Sequence, residues 1–174
     1  MRKKRLLQLT AALLCAVILS ACGGAPADAD YTCTVSISCA TILDNMDQCA
    51  ESKKELVPAD GVILPPTEVA FAEGESAFDV LQRVCRDNGI HLESKFTPVY
   101  NSAYIQGIHN IYEFDVGKLS GWMYAVNDWF PNYGCSLYQV QDGDVIRWVY
   151  TCDLGADVGG GQAAGEGQQE GAST

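Results

Sequence analysis

Residues 76–89 read SAFDVLQRVCRDNG, and this stretch decides the fold. Ser76 is a typical N-cap residue, and Asp79 three positions later completes a variant of the capping box. Asn88 and Gly89 close the segment, because glycine readily takes the left-handed position after a helix. One stripe of the predicted helix is apolar and contains Phe78, Leu81, Val84 and Cys85. The opposite, polar side contains Asp79, Gln82, Arg83 and Arg86 and faces away from the apolar stripe.

The segments on both sides of this helix have the period-two alternation of β-strands. Pro65 and Pro66 are expected to stop one of them, and Gly107 interrupts another. The predicted strands cover residues 32–42, 62–64, 67–71, 90–96, 104–114, 122–126 and 145–151. Many strands around a single helix predict an α+β fold, in which the helix packs across one face of a sheet.

Composition and charge exclude several classes of protein. The chain has 174 residues, of which 48% are hydrophobic and 19% charged, as expected for one globular domain. Its formal net charge is −11, and loss of the four basic residues at positions 2–5 leaves 7 basic against 22 acidic side chains, or −15. A surface this negative repels phosphate backbones, so we expect no nucleic-acid partner.

The N-terminus predicts export and lipid anchoring. A basic start is followed by about fourteen apolar residues, fewer than the roughly 20 that a spanning helix needs. Leu19, Ser20 and Ala21 before Cys22 resemble the bacterial lipobox, whose cysteine receives a diacylglycerol. We therefore predict a signal peptide at 1–21, a tether at 22–30 and a lipid on Cys22 at the extracytoplasmic face of a bacterial membrane. An ordinary signal peptide with an incidental cysteine is the alternative.

Six cysteines then remain for the folded part of the chain. Outside the cytoplasm they predict a disulfide-stapled domain, with 15 possible pairings for three bridges. No pair has the CxxC spacing of a zinc site, and His91 and His109 are the only histidines. The disulfide candidates are Cys33, Cys39, Cys49, Cys85, Cys135 and Cys152.

Four motifs between Ala70 and Asp153 resemble the transcobalamin-like C-terminal domain family. They are Phe71-x-x-Gly74-x-Ser76-x-Phe78-Asp79-Val80-Leu81, Tyr104-Ile105-x-Gly107-Ile108, Gly121-Trp122-Met123-Tyr124-x-Val126-Asn127 and Asp142-Gly143-Asp144-Val145-Ile146-x-Trp148, in this order. Similar domains occur in secreted or lipid-anchored bacterial proteins in which the domain has no assigned activity.

This resemblance implies a β-grasp-like fold, a mixed sheet wrapped around one helix, over residues 31–154. It also implies cobalamin or a similar planar molecule as a ligand. In the animal carriers a larger helical domain forms the other wall of the site, and 174 residues leave no room for it. A β-grasp fold places its first strand parallel to its last, which suggests a bridge between Cys39 and Cys152. Residues 155–174 are expected to be a disordered Gly/Gln/Glu tail.

Two aromatic segments are candidates for ligand binding. Residues 129–133 lie between strands, where five residues cannot all be core, and exposed aromatic rings on a loop are typical of recognition. Residues 100–104 offer hydroxyls and an amide beside rings, which suits a planar polar ligand. Core packing and an unoccupied surface loop are the respective alternatives. The predicted ligand-binding residues are Tyr100, Asn101, Tyr104, Trp122, Trp129, Phe130 and Tyr133.

Catalytic and metal sites are not expected. The chain shows no Ser–His–Asp order and no phosphate-binding glycine loop, and Glu113, Asp115 and Asp128 match no calcium loop. A catalytic pair of carboxylates, as in glycosidases, remains an open alternative, because the distance between two carboxylates is set by the fold and not by their spacing in the sequence. The sequence thus predicts a lipid-anchored binding module for a small planar ligand, cobalamin-like by resemblance. A cell-surface module that binds another protein is the alternative.

Overall fold

The computed structural model describes residue 26 and residues 29–160. Seven strands and one α-helix form its framework: β1 (Tyr31–Ser38), β2 (Val62–Phe71), α1 (Ala77–Asp87), β3 (Leu92–Thr97), β4 (Ser102–Ile108), β5 (Ile111–Tyr112), β6 (Gly121–Val126) and β7 (Val145–Thr151). Short 3₁₀ helices occupy Ala40–Asn45, Glu51–Leu56 and Ala156–Val158. The α+β class is confirmed. The predicted signal peptide, Cys22 and most of the tether lie outside the described residues.

The strands form two sheets, where one was predicted. A four-stranded sheet has the order β2-β1-β7-β6, and β1 runs parallel to β7 as expected for a β-grasp-like fold. The second sheet contains β3, β4 and β5. It forms because His109 and Asn110, both with positive φ, make a tight turn inside the segment predicted as one strand, and the chain folds back as β5.

The helix confirms the sequence prediction at both ends. The Ser76 side chain accepts from the Asp79 backbone N–H, and the Asp79 carboxylate accepts from the Ser76 N–H at 2.9 Å. Leu81 and Val84 are buried with the inward residues of β1 and β7.

Arg83 corrects the predicted polar face of α1. Its side chain is buried, where it pairs with the Glu75 carboxylate and donates to the Ala70 carbonyl at 2.9 Å. These contacts satisfy the guanidinium away from water, as a buried charge requires.

Pro65 and Pro66 lie inside β2 and do not end it. They fall where the pairing of β1 with β2 shifts register, between Val35 and Ile37. Although proline has no N–H, the two prolines remove no hydrogen bond between strands there, because β2 is an edge strand with a bulge at this point.

The predicted disulfide staple is absent from the structure. All six cysteines within the described residues are free thiols, and Cys39 lies beyond the end of β1 rather than within it. Burial raises the pKa of the Cys33, Cys39, Cys85 and Cys135 thiols to about 12, so these groups are neutral at ordinary pH.

The first part of the predicted tail is folded. Residues 155–160 run back over β7, where the Gly155 N–H donates to Thr151 Oγ1 and the Asp157 carboxylate accepts from the Cys152 N–H. Residues 161–174 lie outside the described residues. Among the helices that the structure describes, none has both the length and the apolar character needed to cross a membrane.

Candidate ligand groove

A groove of about 310 Å³ lies between the β3–β4 hairpin and the loop that follows β6. We call it the tyrosine groove, since three tyrosines belong to its wall. The hairpin contributes Thr97, Tyr100, Ser102, Ala103 and Tyr104, and the loop contributes Pro131, Asn132, Tyr133 and Gly134. The two segments that the sequence analysis treated as separate candidates thus form one site.

A tight turn at the end of β6 starts the loop. Asn127 and Asp128 have φ of 51° and 66°, and Val126 and Trp129 exchange backbone hydrogen bonds across them. This is the pattern of a two-residue hairpin turn, which the Asn-Asp pair suits. The buried Asp144 carboxylate fixes the turn by accepting from Asn127 Nδ2 at 2.8 Å.

Ser136 fastens the other end of the loop to β4. Its hydroxyl accepts from the Ala103 N–H at 3.0 Å and shares a hydrogen bond of 2.8 Å with the Ser102 hydroxyl. Gly134 lies so close to Ser102 that a Cβ there would come within 1.9 Å of Ser102 Oγ. Only glycine permits this approach, so the floor of the groove depends on it.

Tyr133 is held through its backbone and leaves its ring available. Its carbonyl accepts from the Tyr124 hydroxyl at 3.0 Å, and its ring meets the Trp129 ring edge-on at a centroid distance of 6.0 Å. Trp129 is 52% exposed. Two large rings thus stand at the loop side with their backbone fixed, an arrangement that lowers the entropic cost of binding.

Tyr104 is polarised by charged neighbours. Its hydroxyl donates to the Glu113 carboxylate, and Lys95 Nζ lies 5.6 Å from its ring centroid. Burial, then the hydrogen bond to Glu113 and the charge of that carboxylate, raises the pKa of Tyr104 to about 12. The phenol is therefore neutral over the physiological range.

Thr97 supplies an unused hydrogen-bonding group. Its hydroxyl oxygen is buried, yet within the described residues it has no hydrogen-bond partner. A buried hydroxyl without a partner costs free energy in the unliganded protein. Thr97 itself belongs to the groove wall, although its hydroxyl oxygen is covered in the unliganded protein.

The predicted ligand-binding residues fall into those at the groove, one on the hairpin turn outside its wall, and two that are buried elsewhere. Tyr100, Tyr104 and Tyr133 line the groove, and Trp129 adjoins it through its contact with Tyr133. Asn101 takes a positive φ in the hairpin turn and is not part of the wall.

Trp122 and Phe130 are buried, so we leave them out of the proposed site. The Trp122 indole N–H donates to the Ile111 carbonyl at 2.8 Å, and its ring meets Tyr150 edge-on. Phe130 packs under Gly160, where an added Cβ would lie 3.1 Å from the ring. Sequence reasoning missed Thr97, Ser102 and Gly134, whose positions depend on the contact between loop and hairpin.

The acidic residues considered as a cation site each have their own partner. Asp115 pairs with Lys53 at 3.4 Å and Asp128 with Arg147 at 3.0 Å, while Glu113 accepts from Tyr104. Within residues 29–160, histidine, cysteine, aspartate and glutamate side chains nowhere gather in a set of three suited to a metal ion.

Comparison with known proteins finds a family model that is similar to the part of the chain that contains the groove. Residues 74–152 match the family model described as "Domain of unknown function (DUF4430)". This segment contains α1, both walls of the groove and β7. No curated protein matches the chain.

Two solved structures show a partial likeness. One is haptocorrin in complex with Cbi, with a TM-score of 0.48 and 13% identity over 71% of this chain. The match spans only 26% of the haptocorrin chain. The other is the "putative metal binding protein" from Ruminococcus gnavus, with a TM-score of 0.42 and 15% identity over 70% of this chain and 97% of that one.

Proposed function

We propose that this chain is a lipid-anchored extracytoplasmic binding module that holds a small planar ligand in the tyrosine groove, without catalysing a reaction on it. One observation carries the proposal: Tyr100, Tyr104 and Tyr133 surround a single groove together with the unpaired hydroxyl of Thr97. Rings provide apolar contact area, and a few convergent polar groups fix orientation, as in small-molecule sites generally.

The size and charge of the groove narrow the ligand. Its volume of about 310 Å³ is at the lower end of the usual range of roughly 300–1,000 Å³ for ligand pockets. It fits a small ring system or one edge of a larger macrocycle such as a corrinoid. The excess of acidic side chains in the chain favours a neutral or cationic ligand over an anion.

A corrinoid is the first ligand to test, because the four sequence motifs resemble the transcobalamin-like family. The chain from Gly23 onward is titrated with cobinamide and with cobalamin, and corrin absorbance reports binding. We expect saturable binding tighter than millimolar. A weaker affinity removes corrinoids from the proposal.

Paired tyrosine substitutions locate the site. Tyr133→Ala removes a groove ring and should weaken binding about tenfold or more, the usual effect of losing an aromatic anchor. Tyr31→Ala is the matched control, since Tyr31 and Tyr133 are 38% and 39% exposed but Tyr31 lies on β1 against Phe71. Equal affinities of the two variants would place binding outside the groove.

A protein ligand is the second candidate, and the tip of the same hairpin favours it. Phe96 and Val99 are 63% and 86% exposed and lie three residues apart at this tip, where neighbouring exposed apolar side chains offer a contact to a partner. Val99 lies outside the groove wall, so Val99→Ser separates the two candidates. It should leave a small ligand unaffected and weaken attachment of a surface protein.

The anchoring part of the proposal rests on the lipobox-like sequence before Cys22 and has its own test. Cys22→Ala removes the thiol that would accept the lipid, so the protein should neither take up labelled lipid nor fractionate with membranes. Cys15→Ala is the control, because Cys15 lies within the apolar run and should be dispensable for labelling. Lipid labelling of the Cys22→Ala protein would show that Cys22 is not the anchor.

A further inference from the structure

The outer edge of β3 is open to another strand. Within residues 29–160, β3 pairs with β4 on one side and with no strand on the other. The outer edge of β2 is protected differently, because Pro65 and Pro66 interrupt its hydrogen-bonding groups. Prolines and charges are the usual protection of an exposed edge; β3 contains no proline, and its two charges, Glu93 and Lys95, are of opposite sign.

The direction of the backbone groups sets how a strand could join β3. The His109 N–H donates to the His91 carbonyl, so the backbone of His91 faces the β4 side. Backbone groups alternate in direction along an antiparallel strand. The pairing of β3 with β4 shifts register between Glu93 and Ser94, but the extra residue lies on β4, so the alternation along β3 continues. The N–H and C=O groups of Leu92, Ser94 and Phe96 therefore point outward. The Ala103 N–H opposite Phe96 agrees with this direction, because it donates to Ser136 and not to β3.

We propose that the open edge of β3 is a self-association surface, on which β3 of a second copy of this chain pairs antiparallel about a two-fold axis at Ser94. Ser94 then faces Ser94 of the second copy, and Leu92 faces Phe96 in both directions. In this register every outward backbone group of the three residues finds a partner. A closed two-fold contact of this kind uses the same patch on both copies.

Charge complementarity supports this register. Glu93 and Lys95 lie on the opposite face of β3 from Leu92 and Phe96, and both are exposed. With Ser94 at the centre, Glu93 of each copy stands directly opposite Lys95 of the other. Opposite charges in this position stabilise a strand pair, and like charges destabilise it.

A second cavity supports the same occupant. A groove of about 430 Å³ adjoins β3 on its apolar side, lined by Gln82, Cys85, Arg86, Ile90 and Leu92. Phe96 of the second copy would stand opposite Leu92 and so reach this groove. In the dimer, the highly exposed Phe96 of each copy would thus occupy the open groove beside Leu92 of the other.

Charge exchange tests the register. The full chain in detergent solution is compared with E93K, K95E and the double variant E93K/K95E by sedimentation equilibrium. We expect a dimer whose dissociation constant rises about tenfold in each single variant, where like charges face each other, and returns to within about threefold in the double variant. Within one copy, Glu93 also accepts a hydrogen bond from the Tyr112 hydroxyl. The double variant does not restore this bond, so recovery of dimer affinity in that variant reports the contact between copies.

Two further variants test the apolar contact and guard against misfolding. Phe96→Ala should weaken the dimer, while Val99→Ala, at an even more exposed site outside the paired residues, should not. Cys152 is the only one of the described free thiols that is not buried, so it is replaced by serine in this experiment. A short bis-maleimide should then link copies of Ser94→Cys and not copies of Glu68→Cys, which lies on the edge strand β2. A wild-type chain that stays monomeric at about 1 mM, single charge variants that dissociate like wild type, or equal linking at both positions would overturn the proposal.

Discussion

The aromatic side chains of β6 and β7 contrast with those around the tyrosine groove, although both sets contain tyrosine and tryptophan. The strand set is buried: the Tyr150 hydroxyl donates to the Tyr112 carbonyl at 2.7 Å, and Tyr124 stacks on Trp148 at 5.5 Å. Within the described residues, the Trp148 indole nitrogen is the one buried polar side-chain atom of this set without a hydrogen-bond partner. Burial raises the pKa of Tyr150 above its usual value. Tyr100 and Trp129 are instead 73% and 52% exposed.

Backbone setting, not residue type, produces this difference. Tyr124 and Trp148 face each other across a strand pair, so each covers the other and the rest of the core covers both. Tyr100 and Tyr133 lie on turns, where no neighbouring strand covers them. The rings on the paired, buried strands β6 and β7 therefore stabilise the domain. The rings on turns, together with Tyr104 on the exposed side of β4, are available to a ligand.

The largest expected effect compares one tryptophan from each set. Trp148→Ala should lower the free energy of unfolding by about 3–5 kcal/mol, because it opens a cavity in the core. Trp129→Ala should change it by less than about 1 kcal/mol, since half of its ring already contacts water. Chemical denaturation of both variants measures the difference. Similar losses would mean that the loop rings carry core stability and are not free for binding.

The helix was predictable because its causes are local, whereas the parallel pairing of β1 with β7 was expected only from the family resemblance. The capping box at Ser76 and Asp79 and the closing Asn88-Gly89 lie within one short segment, and the structure has both ends where the sequence indicates. The turn at His109 and Asn110 escaped prediction, because histidine at positive φ has no strong sequence signal. The break was therefore assigned to Gly107, which instead makes room for the Tyr112 ring packed on it.

The remaining errors concern contacts between distant residues. Phe130 is buried by Gly160, and Arg83 is drawn inward by Glu75, an acid outside the helix whose orientation no periodicity reveals. The groove itself depends on Ser136 reaching Ala103, more than thirty residues away in the chain. The expected compartment suggested bridges but contained no information about which thiols meet, and the structure pairs none within its described residues.

Substitution of Gly134 tests whether the backbone contact between the loop and the hairpin is needed for binding. A Cβ at Gly134 would overlap Ser102 Oγ, so Gly134→Ala should cost about 1–3 kcal/mol and push the loop away from the hairpin. Gly121→Ala on β6 is the control, because the nearest atom to its Cβ would be 3.8 Å away. Thermal unfolding and cobinamide titration should both show a defect for Gly134→Ala alone. Normal binding by that variant would mean that the ligand does not use the junction of loop and hairpin.

The smallest expected effect concerns the hydroxyl of Thr97, which ends β3 and belongs to the groove wall. Thr97→Val replaces a buried, unpartnered hydroxyl with a methyl group of similar shape, so the free protein should keep its stability or gain up to about 1 kcal/mol. Thr67→Val is the control, because the Thr67 hydroxyl donates to the Pro65 carbonyl at 2.7 Å and its loss brings no such gain. If Thr97 is satisfied by the ligand, its valine variant should bind cobinamide more weakly while unfolding at the same or a higher denaturant concentration. A Thr97→Val protein less stable than Thr67→Val would show that the hydroxyl already has a partner, and the groove would lose its orienting polar group.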